Sequence, residues 1–167
     1  FEQAINTANS FNDYGDKARA LSNIATTQAN VGLFEQAINT ANSINYASYK
    51  AEALSNIATA QANSGLFEQA INTANSISDA EYKSQALSDI VTVQAKADLI
   101  NEAINTANSI NNNYSSDKAK ALSNIATAQA KADLINEATN TFEQAINTAN
   151  SIEYDSDKAK VLSNIAT

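Results

Sequence analysis

The chain has 167 residues, with 18 Asp plus Glu against 10 Lys plus Arg, and it contains no His, Cys, Pro, Met or Trp. Missing His and Cys remove the usual general base, the activated thiol, disulfides and nearly every zinc, haem or iron–sulfur site. A net charge of −8 opposes sequence-independent binding to nucleic acid and to anionic membranes. No run approaches the ~18 apolar residues of a membrane helix, and no charged-then-apolar signal segment opens the chain, so a soluble chain is expected. Without an initiator Met it reads as a processed product, a fragment or the ordered part of something longer.

Internal repeats dominate the reading in chain order. The block Phe-Glu-Gln-Ala-Ile-Asn-Thr-Ala-Asn-Ser starts at Phe1, Phe34, Phe67 and Phe142, with variants at Ile100 and Ile135. A second block, Ala-Leu-Ser-Asn-Ile-Ala-Thr or a close variant, has its Leu at Leu21, Leu54, Leu87, Leu122 and Leu162, spaced 33, 33, 35 and 40 residues apart. Each block has a helical apolar stripe: Leu54, Ile57, Ala58 and Gln61 fall at i, i+3, i+4 and i+7, as do Phe67, Ala70, Ile71 and Ala74. The pattern predicts an unpaired helix over 1–11, helix pairs over 14–44, 47–77, 80–110 and 115–152, and an unpaired helix over 155–167. Together they form one array spanning 1–167.

The connections carry their own signals. Gly32 and Gly65 stand where a left-handed residue ends a helix, and Asp98 and Asp133 take that place in later repeats. Ser78-Asp79-Ala80-Glu81 reads as a capping box, and Ser115, Ser116 and Asp117, or Asp155, Ser156 and Asp157, offer N-caps. Two extra residues lie in the linker 111–114 and seven in 135–141. Seven residues are close to two helical turns and rotate the apolar face by only about 20°, so a continuous, elongated helix is expected there. Small Ala at 25, 58, 126 and 166, and at 37, 70, 103 and 145, permits close helix approach, with Phe or Ile at the start of the second helix filling the space between neighbours.

The placement of Leu54, Ile57, Ala58, Gly65, Phe67, Ala70 and Ile77 resembles the tetratricopeptide repeat over nearly the whole chain. Gln28, Gln61, Gln94 and Gln129 stand where that family usually has an aromatic residue, and its late proline is absent. The resemblance implies an all-α, right-handed α-solenoid of about ten antiparallel helices, stabilised by stacking of neighbours. It also implies a concave surface lined by the first helix of each pair and a peptide or partner protein bound there. A pentatricopeptide-type RNA binder has a similar hairpin, but the acidic charge argues against it.

Around Leu54 the face opposite the stripe carries Glu52, Ser55, Asn56, Thr59 and Asn63. The corresponding central ladder is Asn23, Asn56, Asp89, Asn124 and Asn164. Carboxamides offer both donor and acceptor, matching a peptide backbone; the competing reading is a solvated surface in a chain with 24 Asn. Flanking ladders are Arg19, Glu52, Gln85, Lys120 and Lys160 on one edge, and Asn30, Asn63, Lys96 and Lys131 on the other. The lysines suit an acidic segment or a terminal carboxylate, or else simply solvate the helix. The four Gln residues project toward the apolar side and are expected to pair their amides to fix helix register. Six Tyr sit near the linkers, where packing against the next repeat with the hydroxyl in water is the default. Asn113-Tyr114-Ser115 matches a glycosylation sequon, a weak signal in so Asn-rich a chain.

No catalytic constellation stands out: carboxylate pairs such as Asp155 with Asp157 lie at helix starts, where capping accounts for them. No cofactor or metal is implied. Two functions compete, a protein-interaction module and a structural spacer. Head-to-tail self-association, with Phe1, Ala4 and Ile5 of one copy against Leu162, Ile165 and Ala166 of the next, is a third expectation.

Overall fold

A computed structural model describes residues 1–165, and among these it contains ten α-helices and no strand. They are α1 (Glu2–Asn9), α2 (Tyr14–Asn30), α3 (Phe34–Asn42), α4 (Ala47–Asn63), α5 (Phe67–Asn75), α6 (Ala80–Lys96), α7 (Ile100–Asn108), α8 (Ser115–Lys131), α9 (Ile135–Asn150) and α10 (Asp155–Ile165). Helices α2, α4, α6 and α8 each have 17 residues, whereas α3, α5 and α7 have nine. This all-α fold is compatible with a helical repeat. The chain forms two compact units, residues 1–86 and Leu87 onward.

In the first unit α2 packs against α1, α3 and α4, and α4 also packs against α3 and α5. Its core is made of Leu21, Ile44, Leu54 and Ile57, with Ala25, Ala37, Ala58 and Ala70 fully buried where helices approach closely. In the second unit α8 packs against α7 and α9, and α10 rests on both α8 and α9. Leu87, Ile90, Val91, Ile110 and Ile125 are its largest fully buried apolar side chains. Val161 of α10 packs with Ala119 of α8 and Ala149 of α9, with Ile152, Leu162 and Ile165 at the edge. Ala166 lies outside the described residues.

Every long helix with a described corner ends in the same way. Gly32 and Gly65 have φ of 82° and 77°, and Asp98 and Asp133 have φ of 58° and 60°. In each case the residue after the corner reaches back five positions: Leu33 N–H donates to the Gln28 carbonyl, Leu66 to Gln61, Leu99 to Gln94 and Leu134 to Gln129, all at 2.9 Å. The corner residue's own N–H bonds to the carbonyl three positions back, at 2.9 Å for the two glycines and 3.2 Å for the two aspartates. This is the Schellman arrangement, which satisfies carbonyls a helix end otherwise leaves open.

The seven extra residues are helical. Helix α9 has 16 residues against nine in α5, with no break near Asn140. Ile-Asn-Glu-Ala-Thr-Asn-Thr at 135–141 and Phe-Glu-Gln-Ala-Ile-Asn-Thr at 142–148 align as two copies of one heptad, so Ala138 and Ala145 fall on the same face and both are buried. The entry turn itself is less well covered. Ile135 is 58% exposed, so it does not fill space between neighbours as Phe34, Phe67 and Ile100 partly do.

Helix starts depart from expectation in two places. Asp79, not Ser78, caps α6, its Oδ1 accepting from the backbone N–H of Glu81 at 3.0 Å and of Tyr82 at 3.1 Å. Helix α8 begins after Tyr114 with no side-chain cap, because the Ser115 hydroxyl is drawn back to the Asn112 carbonyl at 2.9 Å and lies 2.8 Å from the Ser151 hydroxyl.

Candidate functional site

The candidate residues lie on the long helices of each unit. On α2 and α4 the exposed positions are Arg19, Asn23 and Asn30, and Glu52, Asn56 and Asn63. Ser55 is buried and Thr59 half-buried, so both fall off the face expected to carry them. The reason is that α4 packs against three helices, which narrows its exposed stripe, and Thr59 turns its hydroxyl to the Ser55 carbonyl at 3.1 Å. In the second unit Lys96, Lys120, Lys131 and Asn164 are exposed, whereas Asp89 and Asn124 are half-buried.

Neighbouring long helices are tied together across this face. Asn56 Nδ2 donates to Thr26 Oγ1 at 3.2 Å, joining α4 to α2. Asn124 Nδ2 donates to Thr92 Oγ1 at 2.8 Å, joining α8 to α6. Lys120 Nζ sits 2.8 Å from Asp89 Oδ1 one turn away on the same pair of helices. Arg19 instead pairs within its own helix, 2.8 Å from Asp16 Oδ1. Within the ladder, Asn56 and Asn124 thus each commit a donor to a neighbouring long helix, and Asp89 commits its carboxylate.

The buried glutamines do not do what was expected of them. Gln28, Gln61, Gln94 and Gln129 are all buried, yet Oε1 of every one lacks a hydrogen-bond partner. They lie in the last turn of each long helix, where their backbone carbonyls accept the bond that closes the corner while the side-chain oxygens stay unpaired. The Asn–Thr bonds, and not the glutamines, link neighbouring long helices.

A repeated lysine supplies a contact the sequence reading missed. Lys50 Nζ approaches the Asn42 carbonyl at 3.5 Å, Lys83 the Asn75 carbonyl at 3.3 Å, and Lys118 the Ile110 carbonyl at 3.4 Å and Asn112 Oδ1 at 2.6 Å. Each places its charge at the C-terminal end of the preceding short helix, where the helix dipole favours a cation. The carbonyl contacts are long and act chiefly as charge–dipole attraction. The signal was present in the sequence as a Lys at the fourth position of every long helix, at 17, 50, 83, 118 and 158.

The tyrosines divide: Tyr14, Tyr46 and Tyr154 are exposed, while Tyr49, Tyr82 and Tyr114 are half-buried. Among the described residues no three carboxylates gather into a metal-binding group, and no helix is long and apolar enough to cross a membrane.

No family model matches the chain, and no curated protein matches it. The crystal structure of Ton1535 from Thermococcus onnurineus NA1 is similar to it at 22% identity and a TM-score of 0.41, over 99% of this chain and 53% of that one. The chain therefore spans about half the length of that protein.

Proposed function

We propose that the chain is a protein-interaction module, a tetratricopeptide-like right-handed solenoid whose long helices offer a polar groove to an extended polypeptide. The observation that supports this reading is the Asn–Thr bond that recurs in both units, Asn56 to Thr26 and Asn124 to Thr92. It ties the exposed faces of neighbouring long helices together within each unit, and carboxamides, each both donor and acceptor, suit a peptide backbone. The edge residues Arg19, Glu52, Asn63, Lys96, Lys120 and Lys131 would then select among partners by charge.

A display of unstructured peptides, screened against the immobilised chain, tests the reading. Asn56→Ala and Asn124→Ala should weaken a captured peptide about tenfold or more, while each costs only about 1 kcal/mol of stability for the lost inter-helix bond. Unchanged binding removes the ladder from any ligand role. The same bonds favour a second reading, a structural spacer, because they stiffen the array without a partner. Absence of any specific peptide, with concentration-dependent sedimentation, supports that spacer or head-to-tail array.

A further inference from the structure

A cavity of about 230 Å³ opens in the first unit between the start of α2 and the connection from α3 to α4. Its floor is Ala18, Leu21 and Ile44, all buried, and its rim is formed by Tyr14, Tyr46 and Lys17. The rim is where this repeat differs from its neighbours. Thirty-three residues further on, Ala47 replaces Tyr14 and Asp79 replaces Tyr46. Lys50, Lys83 and Lys118 are each drawn to the end of the preceding short helix, whereas Lys17 makes no such bond and lines the cavity instead. The carboxylates nearest to it in sequence are engaged elsewhere: Asp13 Oδ1 accepts from the Asp16 N–H at 2.8 Å, and Asp16 pairs with Arg19. Lys17 is the charged residue of the lining, to which Ser43 and Asn45 add neutral polar groups beside the apolar floor and the two tyrosines.

We propose that this cavity binds a small aromatic carboxylate, one ring carrying an acid on a short arm. The size sets the ring count, since an apolar cavity of about 150 Å³ accommodates benzene, and the extra space here admits a one- or two-carbon arm. The ring lies on Leu21 and Ile44, flanked by the two tyrosines, whose rings favour offset or edge contacts with another ring. The carboxylate meets Lys17 Nζ in a charge-assisted hydrogen bond. Half-burial of Lys17 makes this pairing stronger than one in open water. The inference is independent of the Asn ladder, which lies on other residues.

Phenylacetate, benzyl alcohol and acetate, titrated separately into the whole chain and followed by amide chemical shifts, form the test. Phenylacetate should shift amides of residues 14–21 and 43–46 saturably, with benzyl alcohol and acetate each weaker by about tenfold or more. Lys17→Met should weaken phenylacetate about tenfold and leave benzyl alcohol unchanged. Tyr14→Ala, which installs the residue that α4 carries at this position, should weaken both aromatic probes. The comparison of three probes on the unaltered chain stands even if a variant misfolds. The proposal is overturned by equal binding of benzyl alcohol and phenylacetate, by shifts confined to other residues, or by no saturation at about 10 mM, a concentration well above the ~1 mM at which binding free energy is still about −4 kcal/mol. Binding of a Phe-terminated peptide in this cavity without phenylacetate also overturns it.

Discussion

The two units solve one problem with different parts. In the first, the long helices α2 and α4 turn on glycine and pair with nine-residue helices; in the second, α6 and α8 turn on aspartate, and α8 is answered by a helix of 16 residues. Nearly the same long-helix sequence, Ala-Leu-Ser-Asn-Ile-Ala-Thr-Ala-Gln-Ala, serves both α4 and α8. What the long helix requires is therefore a partner stripe in the right rotational phase, not one of a fixed length. A whole heptad keeps that phase, and a left-handed corner can be supplied by either residue at different strain.

Phase is the term to break first. Deleting 136–140 from α9 removes five residues and turns the stripe around Ala145 and Ala149 by about 140°, since each residue advances about 100°. That variant should lose on the order of 4 kcal/mol in urea unfolding of the second unit, the range reserved for disrupted cores. Deleting all of 135–141 keeps the phase and should cost only about 1–2 kcal/mol from lost burial. Equal losses would show that length and not phase is what α8 recognises.

The glutamines give an effect of opposite sign. Gln61→Met and Gln129→Met keep a long unbranched side chain and remove an unpaired buried oxygen, so each should raise the unfolding free energy by about 1 kcal/mol. A loss at either site in denaturant titration would mean that the amide makes bonds of net value. The same gain in both units would show that the site is equivalent despite the different partner helix.

Corner chemistry should give a change of similar size at the glycine and the smallest change at the aspartate. Gly65→Ala places a side chain at φ of 77° and should cost about 1 kcal/mol, whereas Asp133→Gly should gain a few tenths. The longer corner bond at Asp133, 3.2 Å against 2.9 Å at Gly65, agrees with that direction. Thermal unfolding of both variants checks it, and a destabilising Asp133→Gly would assign the aspartate carboxyl a role beyond the turn.

Helix positions, the elongated α9 and the four left-handed corners were legible because each depends on residues a few places apart. The apolar period marks a stripe, and Gly or Asp marks the end of it. Ser55 and the four glutamines were misjudged for a different reason. Whether a residue beside the stripe is buried depends on how many helices surround it, and a single-helix pattern does not contain that number. The Asn56–Thr26 and Asn124–Thr92 bonds span 30 and 32 residues, short of the repeat period, so they arise from the stagger between helices and not from matched positions. The lysine contacts were visible as a repeated residue, but their purpose emerges only once the preceding helix end is placed eight residues back.

The identity of the short helices has a consequence for how the first unit folds. Helices α3 and α5 share the sequence Phe-Glu-Gln-Ala-Ile-Asn-Thr-Ala-Asn, so side chains alone give α2 no reason to choose between them. The choice falls to chain closure: three residues separate α2 from α3, whereas 36 separate α2 from α5. A twelvefold difference in loop length favours the nearer helix by only about 2 kcal/mol. A nascent chain that pairs α2 with the wrong copy occupies a kinetic trap of modest depth. Refolding from denaturant should therefore show a slow minor phase, and a single substitution that distinguishes α5 from α3 should abolish it.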